Sequence, residues 1–261
     1  MKNHNLCFQV TLFLWFSLFA SLAMAQEQPA EAEVEKTPEP IALQKDLSIV
    51  QISDNVWMWA AAKNPDGKPP ALNGLLYITD TMVICVNVPW NAKHVDGLSK
   101  FCLDRLQRRL GKLILTGYQP IRAPALKRFK DLGLQFHGTL ANATLAQSGK
   151  LPAPDLVFTV RQTLEVDGRL IYLYNPGSIL AKDHVIVYIP DGEVLYMGAL
   201  LKSPRANISG LSQARLQAWE KALRDSQRRF PKAMHLIPER GPMTDHQAIA
   251  RNYVLIRKAT H

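Results

Sequence analysis

Side chains that make or break bonds at neutral pH are few here and poorly spaced for joint work. Outside the first 25 residues the histidines are His94, His137, His184, His235, His246 and His261. No two of them fall in a His-x-His or His-Glu-x-x-His pattern, the spacings that put two imidazoles on one metal ion. The serines lie in no G-x-S-x-G turn, so no activated hydroxyl can be read off the chain. Cys85 sits in an apolar strand pattern and Cys102 on the apolar face of a helix, which makes both buried thiols by default. A disulfide between them stays open in an oxidising compartment. What the chain has in excess is cations: 31 Lys and Arg against 22 Asp and Glu.

That charge is unevenly spread. Residues 1–25 begin with Lys2, run apolar from Phe8 to Met24 and close on Ala23-Met24-Ala25, the pattern of an export signal. Residues 26–46 hold six acids, two lysines and three prolines and read as an acidic flexible tether. Residues 47–261 then carry 28 basic and 16 acidic side chains, a net +12. A body that basic suits an anionic small molecule or an acidic protein partner. Export, and the lack of basic runs interleaved with aromatics, argue against nucleic acid. Mean hydropathy of −0.08 and 47% hydrophobic residues exclude both a polytopic membrane protein and a disordered chain. No membrane span is expected once the signal is removed.

The elements that must position these residues follow from periodicity. Residues 47–61 alternate as two strands around Ser53-Asp54-Asn55, and two short apolar runs flank Thr79-Asp80-Thr81. Residues 93–110 repeat apolar side chains at three- and four-residue steps, as a helix does. A strand at 112–115, a helix at 123–132 ended by Gly133 and a strand at 134–137 follow. Strands are expected at 156–160, 169–174, 184–190 and 193–198. A helix over 213–230 capped by Ser212, a strand at 234–237 and a helix over 245–256 complete the order. Two β-rich halves each carry helices, so two mixed sheets packed face to face with helices outside are expected, an αββα sandwich in one domain spanning 47–261. A doubly wound parallel sheet is second, since no G-x-G-x-x-G follows a strand.

Eight segments, in order, carry a resemblance: Ile52-Ser53-Asp54-Asn55-Val56-Trp57, Asn73-Gly74-Leu75, Val86-Asn87-Val88-Pro89-Trp90, Leu113-Ile114-Leu115-Thr116, Tyr174-Asn175-Pro176-Gly177, Val185 to Pro190, Met197 to Ser203, and Leu236-Ile237-Pro238. From about residue 48 to 250 the chain resembles the exported zinc-dependent (class B) β-lactamases of the metallo-β-lactamase fold. The resemblance implies the αββα fold. It also implies two zinc ions, one held by three histidines and the other by an aspartate, a cysteine and a histidine, which turn water into hydroxide near neutral pH.

Aligned on those landmarks, the family's ligand positions fall on Gly117, Gln119, Ile121, Leu180, Ala199 and Arg240. None is the family's ligand. Four have no side-chain lone pair, a guanidinium is a cation without one, and Gln119 offers only a neutral oxygen. A supporting aspartate falls on Asn87, and a substrate-polarising asparagine near Gly210. Lys202 matches the family's lysine for the substrate carboxylate, and Arg122 the arginine after the metal aspartate. With Arg240 in place of a ligand and Lys182 close by, the expected result is a cleft without zinc or other cofactor that attracts anions through Lys202, Arg240 and Arg122.

The resulting expectation is a periplasmic or secreted, non-hydrolytic binder of an anionic small molecule or acidic partner. Three other readings stay open. The first is a metal-independent hydrolase with Ser178, Ser203 or Tyr118 as nucleophile and His184 or Lys202 as base. The second is a zinc hydrolase with an unconventional ligand set, for which His184, four residues past Leu180, is the nearest donor. The third is a structural role for the outer faces.

Overall fold

The computed structural model describes residues 39–64, 71–181, 183–203, 206, 208 and 210–260. The export signal, the tether up to residue 38, and Lys182 lie outside them. The tether reading extends too far at its other end: Ile41–Gln44 is a strand, β1, paired antiparallel with the next. Its apolar residues Ile41, Ala42 and Leu43 suit a sheet.

Four further strands follow: β2 (Leu47–Ser53), β3 (Val56–Ala61), β4 (Leu72–Ile78) and β5 (Val83–Val86), each antiparallel to its neighbour. β6 (Leu110–Ile114), β7 (Gln135–Thr139) and β8 (Leu156–Phe158) then add in parallel. Parallel neighbours need crossovers, and three helices supply them: α1 (Ala92–Leu106), α2 (Ala123–Asp131) and α3 (Leu140–Gly149). The second sheet has the order β13-β12-β11-β10-β9. Its strands are β9 (Arg161–Val166), β10 (Arg169–Tyr174), β11 (Ile186–Ile189), β12 (Val194–Gly198) and β13 (His235–Pro238). α4 (Gln213–Arg229) crosses from β12 to its parallel partner β13, and α5 (Gln247–Thr260) follows.

The core is in three layers, which makes the αββα sandwich concrete. Val56, Leu75, Ile84 and Val86 of the first sheet meet Ile171, Val187, Ile189 and Ile237 of the second. Leu98, Phe101, Leu126 and Phe129 of α1 and α2 cover the first sheet's other face, and Leu216, Trp219, Leu223 and Ile249 of α4 and α5 cover the second's.

Local chemistry sets the helix ends. Asn91 accepts from the His94 N–H at 2.9 Å to start α1, and Gln107, left-handed at φ 53°, stops it. Ser212 accepts from the Arg215 N–H at the start of α4. Besides β1, two elements escaped the sequence reading. α3 is nucleated by a reciprocal Thr139–Asn142 cap but buries only Asn142 and Ala146, so it has no apolar stripe to read. β9 is an edge strand that buries one residue, Leu164. β11 and β12 form a hairpin turned at Asp191-Gly192, with Glu193 left-handed at φ 51°.

Cys85 and Cys102 are both free and buried. Burial pushes the two thiols up, Cys102 to about 12, so neither is a nucleophile at neutral pH.

Candidate functional site

The loops after β5 and β6 and the turns after β12 and β13 lie at one end of the sandwich. Asn87, just past β5, is left-handed at φ 71°. Its amide donates to the Asn73 carbonyl at 2.7 Å, and its Oδ1 accepts from Arg122 at 3.1 Å. Residues 115–119 leave β6 along the same end. Gly198 closes β12 at φ 54°, where a Cβ would stand 2.8 Å from His184 Cε1, so this turn demands glycine on two counts.

These segments enclose a cavity of about 80 Å³ whose walls include Gly117, Gln119, Ala199, Asp183, His184 and Glu239. Three of the six aligned ligand positions are thus brought together. Ile121 is instead 54% exposed, Leu180 packs half-buried against the α4 side of the second sheet, and Arg240 lines a neighbouring pocket.

Asp183, His184 and Glu239 of the cavity are already engaged. Asp183 Oδ2 accepts from the Tyr118 N–H at 2.5 Å and from the Asn142 amide at 3.0 Å. Desolvation raises its carboxyl above the usual range despite those bonds. His184 is buried, and desolvation lowers it to about 4. Its Nε2 stands 2.9 Å from the Met197 carbonyl, which can only accept, so the neutral ring carries its proton on Nε2. The Glu239 carboxylate is paired with Arg122 at 2.9 Å. Among the described residues no three His, Cys, Asp or Glu side chains are grouped to hold a metal ion. The residues at the positions that resemble the zinc site do not fit zinc: they offer one neutral amide oxygen, four side chains without donors and one cation.

The anion-binding expectation divides. Lys202 and Arg240 line a pocket of about 130 Å³ together with Ser203, Thr244 and Arg251. Lys202 is half-buried, and desolvation lowers its ammonium, Glu239 opposing the shift and Arg240 assisting it. Its backbone is held by Asn252 through an N–H at 2.9 Å and a carbonyl at 3.1 Å. Arg122 is a correction. Its side chain is 1% exposed, with Nη2 on Glu239, Nη1 on Asn87 Oδ1 and the Val88 carbonyl, and its Cζ 5.2 Å from the Trp90 ring centre. It packs inside the protein as the partner of a carboxylate and has no face to offer an anion. Arg240 also lies over Trp90, at 5.0 Å, and Lys63 approaches the same ring at 5.8 Å.

The hydrolytic candidates come together only in part: Tyr118 lines the cavity with His184, and Ser203 lines the pocket with Lys202. Ser178 and Ser203 are exposed, and neither lines the cavity that holds His184. Tyr118 donates its hydroxyl to the Pro152 carbonyl at 3.0 Å, and burial pushes the phenol to about 12. Sequence reasoning missed Glu239, Asp183 and Arg251. Glu239 had a signal, as the residue beside Arg240 in Pro238-Glu239-Arg240-Gly241. Arg251 had none, because only the docking of α5 brings it near Lys202.

No family model matches the chain. The type 2 metallo-β-lactamase of Bacteroides fragilis is 26% identical over 235 residues, 88% of this chain and 89% of that protein. The type 2 enzyme of Elizabethkingia meningoseptica is 25% identical, covering 81% of this chain and 85% of that one. Among solved structures, a metallo-β-lactamase from Pontibacter korlensis superposes with a TM-score of 0.73 at 24% identity, over 81% of this chain and 99% of that one. FIM-1 from Pseudomonas aeruginosa, in its mono-zinc form, gives 0.72 at 20%, over 84% and 99%. The chain has the metallo-β-lactamase fold, and the relatives it resembles along most of its length are class B metallo-β-lactamases.

Proposed function

We propose that this is an exported, non-hydrolytic member of the fold that binds the carboxylate or phosphate group of a small molecule, or an acidic partner, between Lys202 and Arg240. The observation that carries the reading is the composition of the former metal positions. Gly117, Gln119, Ile121, Leu180, Ala199 and Arg240 cannot together hold an ion that makes hydroxide. The nearby carboxylate, Glu239, has Arg122 as its counter-charge.

The cationic pocket supports the binding half. At about 130 Å³ it is smaller than the roughly 300–1,000 Å³ of whole-ligand sites, so it suits an anionic head group and not an entire molecule. Charge-assisted hydrogen bonds from an ammonium and a guanidinium are the strong kind. The periplasmic or secreted setting rests on the signal pattern of residues 1–25. No helix among the described residues is long and apolar enough to cross a membrane.

Calorimetric titration with malonate and with inorganic phosphate tests the binding half. Saturable uptake of either, weakened at least about tenfold by Lys202→Ala, is expected. Heats that are flat for both anions, or identical in Lys202→Ala, would remove this pocket from the reading.

A further inference from the structure

A further cavity lies on the far side of the second sheet, where the helix layer stops short of the sheet's edge. β9 is the outermost strand, and in its register with β10 Arg161 faces Tyr174 and Thr163 faces Tyr172. Side chains two apart on a strand share a face, so Arg161, Thr163, Tyr172 and Tyr174 form one surface. Tyr174 and Tyr172 pack with the α4 side of the sheet. α4 ends at Arg229, and Phe230 turns down onto Tyr188 with ring centres 4.9 Å apart. Tyr188 stacks in turn on Tyr172 at 6.3 Å. The helix therefore covers β10 and leaves β9 bare, and the step between them is a cavity of about 390 Å³. That is within the range of whole small-molecule sites.

Its walls are aromatic on one side and cationic on the other. Arg229 lies 4.7 Å above the Tyr174 ring. A guanidinium held against a ring face in this way keeps N–H donors for an oxyanion. Arg161 is the direct cross-strand neighbour of Tyr174. Neither arginine takes part in any ion pair of the described residues, and no carboxylate lines the cavity. Two guanidiniums without acidic partners, both opening on one cavity floored by tyrosine and phenylalanine, present a fork for an oxyanion beside a surface for a flat ring.

We propose that the cavity between β9 and the end of α4 is a binding site for a planar aromatic carboxylate. The carboxylate sits between Arg161 and Arg229, and the ring lies against Tyr172 and Phe230. The site is separate from the Lys202 pocket and stands whether or not that pocket binds anions.

The test is calorimetric titration of the mature protein with 2-naphthoate and with its uncharged analogue 2-naphthylmethanol. Saturable binding of the naphthoate is expected, with the alcohol at least about tenfold weaker. Arg161→Gln and Arg229→Gln should each weaken the naphthoate by about tenfold, and Tyr172→Ala by several-fold. Both arginines are exposed, so the folded state should survive either change, which circular dichroism checks. Lys202→Ala should leave the naphthoate affinity unaltered. Absence of saturable binding, equal affinity for acid and alcohol, or unchanged affinity in both arginine variants would overturn the assignment. Loss of binding in Lys202→Ala alone would also overturn it, by moving the anion to the other pocket.

Discussion

Arg122 Nη2 stands 2.9 Å from Glu239 Oε1, and Nη1 of the same guanidinium stands 3.1 Å from Asn87 Oδ1. One cation, one anion and one neutral amide thus balance their charge at the end of the sandwich that carries Gly117, Gln119 and Ala199. Glu239 also fastens strands through its backbone. Its carbonyl accepts from the Asn73 N–H at 2.8 Å and its N–H donates to the Gly198 carbonyl at 2.9 Å. The ion pair therefore joins the loop after β6, the loop after β5 and the end of β13.

Removing one partner of this pair should cost far more than removing both. Arg122→Leu leaves a largely buried carboxylate unpaired and should lower unfolding free energy by about 3 kcal/mol. Arg122→Leu with Glu239→Gln should recover a good part of that. Urea denaturation of the two single variants and the double variant measures the coupling.

The Gly198 turn gives a steric prediction. Alanine there would adopt a left-handed φ of 54° and bring its Cβ to 2.8 Å from His184 Cε1. A loss of about 1–3 kcal/mol is expected for Gly198→Ala, read by thermal or urea unfolding. A neutral effect would mean that His184 can move without penalty.

Stability should fall with acid in a defined window. His184 and His137 are held near 4 by burial, whereas an unfolded histidine titrates near about 6.5. The native state therefore binds fewer protons than the unfolded state between those values. Stability is complete above about 6.5 and is lost as pH falls toward about 4, by up to about 3 kcal/mol per histidine. His184→Gln, which keeps a donor for the Met197 carbonyl, should flatten the dependence measured by urea unfolding between pH 7 and 4.5.

Much of the fold was legible because its signals are local. Asn91 and Ser212 cap helices with strong apolar stripes, and Asp191-Gly192 turns a hairpin between two buried strands. α3 and β9 were not legible, because the first is held by a cap without a stripe and the second is a mostly exposed edge. At the site, side-chain identity alone is enough to read that Gly117, Gln119 and Ala199 are not histidine, aspartate or cysteine. It could not show where Arg122 points. An arginine beside an expected cleft reads as an anion contact, and only the proximity of Glu239, more than a hundred residues away in sequence, turns it inward. The same limit hid the Arg161–Arg229 cavity, which needs β9, unseen as a strand, to exist.

Zinc content and β-lactam turnover, measured together on protein exported and purified without chelator, bear most directly on the non-hydrolytic reading. Elemental analysis should find zinc far below one ion per chain. Nitrocefin should be hydrolysed no faster than in buffer, with or without added zinc. One or two tightly held zinc ions per chain, with nitrocefin turnover that a chelator abolishes and zinc restores, would contradict it.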